Sequence, residues 1–181
     1  MAVTIGINGF GRIGRYLTRL LADDPDITLA AINARADNAQ LAHLLKYDSV
    51  HGRFAGTVVP CDEGLLINDK LVKISRHSGG EWRWGELGCQ YVVETTGKFV
   101  DRDSCEKHMA CGAQKVIISA PGKNEDVTIV MGVNDDELRP EHKIISNASC
   151  TTNCLAPVAK ALNDAFGIKH GLMTTIHSYT M

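Results

Sequence analysis

Val3-Thr4-Ile5-Gly6-Ile7-Asn8-Gly9-Phe10-Gly11-Arg12-Ile13-Gly14-Arg15 is the stretch from which the fold of this chain follows. The apolar run over 3–8 has the length of a buried strand, and Ile13, Leu17, Leu20 and Leu21 recur at helical spacing. Asp24-Pro25-Asp26 breaks that helix, and 27–32 is a second apolar run of strand length. Strand, glycine turn, helix and strand together make a βαβ unit of about 30 residues, the length a parallel crossover needs.

Within that unit Gly9-Phe10-Gly11-Arg12-Ile13-Gly14 has the spacing G-x-G-x-x-G, directly after the first strand and at the start of the helix. Gly9 permits a sharp turn, Gly11 leaves room for a pyrophosphate, and Gly14 lets helix and sheet pack closely. The helix N-terminus supplies unpaired N–H groups and partial positive charge, and Arg12 and Arg15 add cationic side chains nearby. In this context the pattern predicts dinucleotide binding. A carboxylate for the adenosine ribose belongs about 20 residues on, at the end of the second strand. Ala31-Ile32-Asn33-Ala34-Arg35 stands there instead. Ala34 presents no charge to repel a 2′-phosphate and Arg35 can pair with one, which points to NADP, or to use of both NAD and NADP. The other reading keeps NAD, with Arg35 a solvated loop charge and Asn33 or Asp37 serving the ribose.

Further along, 39–46 reads as a short helix, and 57–59, 65–67 and 70–74 as short strands of a small antiparallel excursion with a turn at Asn68-Asp69. Strands at 91–93, 115–118, 128–131 and 143–145, with a helix over 102–111, restore the alternation of a parallel sheet. The fold class is therefore α/β: a Rossmann-type doubly wound parallel sheet over residues 1–148. A helix over 150–166 and a strand-like alternation over 169–177 open a second, α+β domain over 149–181. The 181 residues are 44% hydrophobic and 22% charged, which suits one well-buried domain and part of another. Lys and Arg number 19 against 21 Asp and Glu, so no basic footprint for nucleic acid is present. No secretory leader or membrane-spanning run is read, and six scattered cysteines fit free thiols in the cytoplasm. Cys150 and Cys154 lack a second pair at zinc spacing, so no metal is expected.

Ser146-Asn147-Ala148-Ser149-Cys150-Thr151-Thr152-Asn153-Cys154 follows a strand and opens a helix. Cys150 in the first helical turn has the helix dipole and free N–H groups in favour of its thiolate, which makes it a nucleophile candidate. Cys154, one turn deeper, reads as structural. His177 closes an apolar stretch returning beside that helix and is the candidate base. The remaining histidines (His43, His51, His77, His108, His142 and His170) read as residues of helices or polar loops at the surface.

Together with Leu44-Leu45-Lys46-Tyr47-Asp48-Ser49-Val50-His51-Gly52 and Val116-Ile117-Ile118-Ser119-Ala120-Pro121, these motifs closely resemble the glyceraldehyde-3-phosphate dehydrogenase family. The resemblance implies phosphorylating oxidation of glyceraldehyde 3-phosphate with inorganic phosphate, through a thioester on Cys150 activated by His177. It implies cofactor contacts at Arg12, Ile13, Thr96 and Ser119, and at Arg76 despite irregular spacing there. Ser149, Thr151 and Thr180 match residues that contact aldehyde or phosphate groups. Alanine at position 34 resembles the NADP-using, anabolic branch. Family members form homotetramers and continue roughly as far again, so a truncated product or fragment is expected. A non-catalytic dinucleotide-binding module, an erythrose-4-phosphate dehydrogenase and a thiol hydrolase are the rival readings.

Overall fold

The computed structural model describes residues 2–179. Strand β1 (Val3–Asn8) leads through the glycine turn into α1 (Arg12–Leu21), then β2 (Ile27–Asn33) and α2 (Asn38–Lys46). A two-residue hairpin of β3 (Tyr47–Asp48) and β4 (Gly52–Arg53) precedes β5 (Val58–Pro60), β6 (Gly64–Ile67) and β7 (Lys70–Ser75). The second half runs β8 (Tyr91–Glu94), α3 (Arg102–Ala110), β9 (Lys115–Ile118), β10 (Val127–Thr128), a short 3-10 turn (Asp135–Glu137), β11 (Ile144–Ser146) and α4 (Cys150–Phe166).

Nine strands form one sheet in the order β10-β11-β9-β8-β1-β2-β7-β6-β5. Every pair from β10 to β7 is parallel, and only β5–β6 and β6–β7 are antiparallel. This is the α/β Rossmann-like fold expected. The antiparallel excursion is not separate, because β7 pairs parallel with β2 and so supplies the third strand of the first half. Chain order reverses at β1, with β2 on one side and β8 on the other, which opens a crevice at the strands' C-terminal ends.

The sheet is covered by distinct apolar clusters. Ile7, Ile32, Leu41, Leu45, Leu65 and Val72 pack together, Trp82, Trp84 and Val92 form a second group, and Cys105, Val116, Ile118 and Ile144 a third. Helix α1 buries Gly14, Thr18 and Leu21, while Ile13 and Leu20 of the anticipated apolar stripe are exposed. The reason is the close approach at Gly14: small residues lie at the centre of the buried face and push the larger ones to its flanks.

Two strand expectations are corrected. Pairing at 128–131 stops after Thr128, because the chain turns at Gly132 (φ 77°) and leaves Met131 exposed. Residues 169–177 form no strand. Alternating side chains are not enough: a strand exists by exchanging hydrogen bonds with a neighbour, and none among the described residues lies beside this segment. Leu172 and Ile176 are 106% and 99% exposed, and α4 buries no residue.

Candidate active site

The turn from β11 into α4 is held by one hydroxyl, since Ser146 Oγ accepts the N–H groups of Gly122 and Ala148 and donates to the Ala120 carbonyl. Ala148 stands at φ 56°, a left-handed conformation that costs a non-glycine residue about 1 kcal/mol. Ser149 then caps the helix, its Oγ accepting the Thr152 N–H at 2.9 Å. Cys150 is thereby the first helical residue.

Its Sγ lies 3.1 Å from Nε2 of His177, the residue expected to partner it. His177 Nδ1 is 2.6 Å from the Ser178 carbonyl, which can only accept, so Nδ1 carries a proton and Nε2 faces the sulfur. The bond to His177 is the largest cause holding Cys150 below the ordinary thiol value, and the Thr151 hydroxyl and N–H assist. The same bond raises His177 above the ordinary imidazole value, with the Ser178 carbonyl adding to the effect. Both shifts favour thiolate and imidazolium side by side, in an exposed setting. Asn153 Nδ2 donates to the carbonyls of Asn147 and Ser149 and braces the turn from inside the helix.

A cleft of about 520 Å³ opens at the C-terminal ends of β1, β2 and β8. Gly9, Gly11, Asn33, Arg35, Arg76 and Thr96 all line it, as do Ala34 and the aromatic rings of Trp82 and Phe99. A side chain at Gly14 would run into the Gly9 carbonyl, whereas a Cβ on Gly11 would meet nothing within 4 Å. Gly11 therefore keeps open a space that the protein itself does not fill. It is also the N-cap of α1, and neither a capping side chain nor an acid in the first turn competes for the helix N–H groups. A cradle with free donors and a helix dipole fits a dinucleotide pyrophosphate.

The other anticipated residues are placed differently. Arg12 and Ile13 are exposed and lie outside the cleft lining, with Arg12 3.7 Å from Asp48. Ser119 follows β9 and donates its N–H to the Glu94 carbonyl, also away from the lining. Asn33 lines the cleft, but its amide is engaged: it donates to Asn8 and His77 and accepts from Ser75 and His77. Asp37 caps α2 through Gln40. Arg76 Nη2 is held by the Ala36 carbonyl and Asn38 on the cleft rim. Cys150, His177, Ser149 and Thr151 are not part of this lining, and Thr180 lies outside the described residues. All six cysteines are free, and Cys154 is exposed rather than packed in a core. Among the described residues no helix is long and apolar enough to cross a membrane.

One expectation about histidines fails. His108 is fully buried, 3.0 Å from the Trp84 indole nitrogen and 3.2 Å from Glu94. Sequence reasoning misses this group because it places an imidazole on the surface by default. The signal was there in the spacing of Ser104, Cys105 and His108, which share the buried face of α3.

A parallel sheet with a glycine-cradled cleft where its strand order reverses, joined to a cysteine–histidine pair at a second helix, defines a dinucleotide-binding α/β protein with an activated thiol. Residues 3–102 match the family model described as glyceraldehyde 3-phosphate dehydrogenase, NAD binding domain, and 149–181 match that of the C-terminal domain. The chain is 56% identical over 182 residues to a glyceraldehyde-3-phosphate dehydrogenase of Geobacillus stearothermophilus, covering 99% of this chain and 54% of that protein. It is 54% identical to one of Priestia megaterium and 53% identical to glyceraldehyde-3-phosphate dehydrogenase 1 of Bacillus subtilis, with the same coverage. The chain belongs to the glyceraldehyde-3-phosphate dehydrogenase family. It spans about half the length of the curated relatives it matches.

Proposed function

We propose that this chain carries the nucleophile and base of a phosphorylating aldehyde dehydrogenase that converts glyceraldehyde 3-phosphate and inorganic phosphate to 1,3-bisphosphoglycerate. The observation that carries this reading is the 3.1 Å contact between Cys150 Sγ and His177 Nε2 at the N-terminus of α4. Cys150 attacks the aldehyde carbon as thiolate, and His177 delivers its Nε2 proton to the oxygen of the resulting thiohemiacetal. The backbone N–H of Cys150, at the start of the helix, is assigned to hold the same oxygen. His177 then withdraws that proton as the carbon is oxidised, leaving a thioester on Cys150 that phosphate cleaves. The bound nicotinamide supplies the hydride acceptor for the oxidation. Ser149 and Thr151 offer hydroxyls for the substrate or phosphate, with Thr180 assigned the same role by resemblance.

For the cofactor we take residues 1–148 as the binding domain, supported by the family match over 3–102, and 149–181 as the opening of the catalytic domain. Gly9, Gly11, Gly14, Arg12 and Ile13 belong to the pyrophosphate turn, Thr96, Arg35 and Arg76 line the cleft beyond it with Asn33 as part of its wall, and Ser119 is assigned to the cofactor by resemblance alone. NADP is accepted as well as NAD: Ala34 brings no carboxylate to the cleft, Arg35 and Arg76 stand on its rim, and the amide of Asn33 and the acid of Asp37 are both committed within the protein. A homotetrameric assembly fits the unburied apolar residues of α4, and free thiols fit a cytoplasmic setting.

A second reading, a dinucleotide-binding module without turnover, is favoured by the exposure of both Cys150 and His177. Glyceraldehyde 3-phosphate, phosphate and NAD or NADP mixed with the purified chain separate the two. Aldehyde-dependent nicotinamide reduction, lost in Cys150→Ser, supports the dehydrogenase. Dinucleotide binding with no reduction of either cofactor leaves the module reading in its place.

A further inference from the structure

We infer that Glu94, locked by His108, is a positioning residue for the dinucleotide cleft; this rests on the reading of that cleft as the cofactor site. Glu94 ends β8 and is 1% exposed, with no cationic side chain bonded to it. Its carboxylate instead collects four donors. Oε1 accepts the backbone N–H of Thr96 at 2.6 Å and the Thr96 hydroxyl, and Oε2 accepts Asn8 Nδ2 at 2.5 Å and His108 Nε2 at 3.2 Å. Thr96 and Asn8 both line the cleft. The carboxylate therefore ties two cleft residues, Asn8 at the end of β1 and Thr96 in the loop after β8, to one buried point.

The direction of each bond in this network follows from donor chemistry. Trp84 Nε1 can only donate, so His108 Nδ1, 3.0 Å away, holds a lone pair and the ring proton sits on Nε2. That proton points at Glu94. On the far side, Asn8 Oδ1 accepts from Asn33 Nδ2, which fixes the Asn8 amide with its nitrogen towards Glu94. The imidazole also shapes the cleft wall directly: Trp82 stacks on it with centroids 3.7 Å apart, and Phe99 meets it edge-on at 6.0 Å. Both rings line the cleft. Bonds running Trp84 to His108 to Glu94, and Asn33 to Asn8 to Glu94, thus converge on one acceptor that also sets Thr96.

Glu94→Gln tests this with almost no change in shape. A glutamine has one acceptor and one donor end, so its NH2 must face either the Thr96 N–H, which cannot reverse, or the Asn8 and His108 donors. We expect faster hydrogen exchange at the Thr96 amide and about a tenfold rise in the dissociation constant for NAD and NADP, without loss of helix content. His108→Gln, whose amide can donate to Glu94 and accept from Trp84, is expected to keep both values closer to the parent than His108→Leu. Unchanged Thr96 exchange in a folded Glu94→Gln variant overturns the inference. If that variant does not fold, nitrogen NMR of the parent decides: a protonated Nδ1 on His108 at pH 7 overturns it, and a bare Nδ1 with protonated Nε2 upholds it. A parent chain that binds neither dinucleotide sinks the cofactor reading, while the Thr96 exchange comparison still tests the link to Glu94.

Discussion

Cys150 owes its chemistry to two neighbours that pull in the same direction, the helix N-terminus and His177. Because Cys150 is held below, and His177 above, its ordinary value, the pair is biased towards its thiolate and imidazolium forms. Lowering the pH through the depressed Cys150 value removes the thiolate; raising it through the elevated His177 value removes the imidazolium. His177→Asn is therefore expected to move the midpoint of Cys150 alkylation up towards about 8.5, the free-thiol value. At pH 7 the alkylation rate is expected to fall about tenfold, read with a chloroacetamide reagent on a variant lacking the other exposed cysteine, Cys154. An unchanged profile would mean that the 3.1 Å contact does not govern the thiol. Ala34 lines the dinucleotide cleft, and the proposed use of NADP rests on its lack of charge. Introducing a carboxylate by Ala34→Asp is expected to weaken NADP about tenfold relative to NAD, measured as the ratio of two dissociation constants by calorimetry. A ratio that does not move would show that charge at position 34 does not govern cofactor choice.

Among the elements, α1 and the β6–β7 hairpin show how local backbone geometry sets longer-range packing. Gly14 lies against the Gly9 carbonyl and Thr95, so Gly14→Ala would push the helix off the sheet. A loss of about 1–3 kcal/mol in urea unfolding is expected, together with loss of dinucleotide affinity, since the same shift moves the cradle. The hairpin turns through Asn68 (φ 47°) and Asp69 (φ 64°), a two-residue loop with both residues left-handed. Asp69 makes no side-chain bond to lose among those observed in the turn, and Asp69→Gly is expected to raise stability by up to about 1 kcal/mol, seen as a higher Tm. A lower Tm would mean that the entropy glycine gains in the unfolded chain outweighs the strain relieved. Asn68 is different, because its side chain holds the Thr57 N–H and reaches Asp23.

At the scale of the whole molecule, a well-covered sheet contrasts with an unburied C-terminal segment. Phe166, Leu172, Ile176 and Tyr179 are all largely exposed, and the outer face of α4 adds Val158 and Leu162. The purified chain is expected to bind an apolar fluorescent dye and to self-associate; Leu162→Glu with Phe166→Glu is expected to reduce both while leaving dinucleotide affinity unchanged. A monodisperse parent chain that binds no dye would show that this surface finds cover within the chain. Much of the molecule was readable from sequence, because strand runs, a glycine turn and helical spacing are local signals that chemistry imposes residue by residue. The βαβ start, the parallel alternation and Cys150 at a helix N-terminus all belong to that level. Segment 169–177 departs from its pattern for the complementary reason: alternation prepares a strand, but only a neighbour's hydrogen bonds make one. The spacing of His108 with Ser104 and Cys105 marks the buried face of α3, but the partners that satisfy the ring, Trp84 and Glu94, are distant in the chain and no local pattern reports them. The Rossmann architecture, the glycine cradle and the identity of the candidate thiol are all written in local patterns of residues. The contact of His177 with that thiol, the commitment of Asn33 within the protein and the gathering of the cleft wall on a buried carboxylate emerge from folding alone, because each depends on side chains brought together through space.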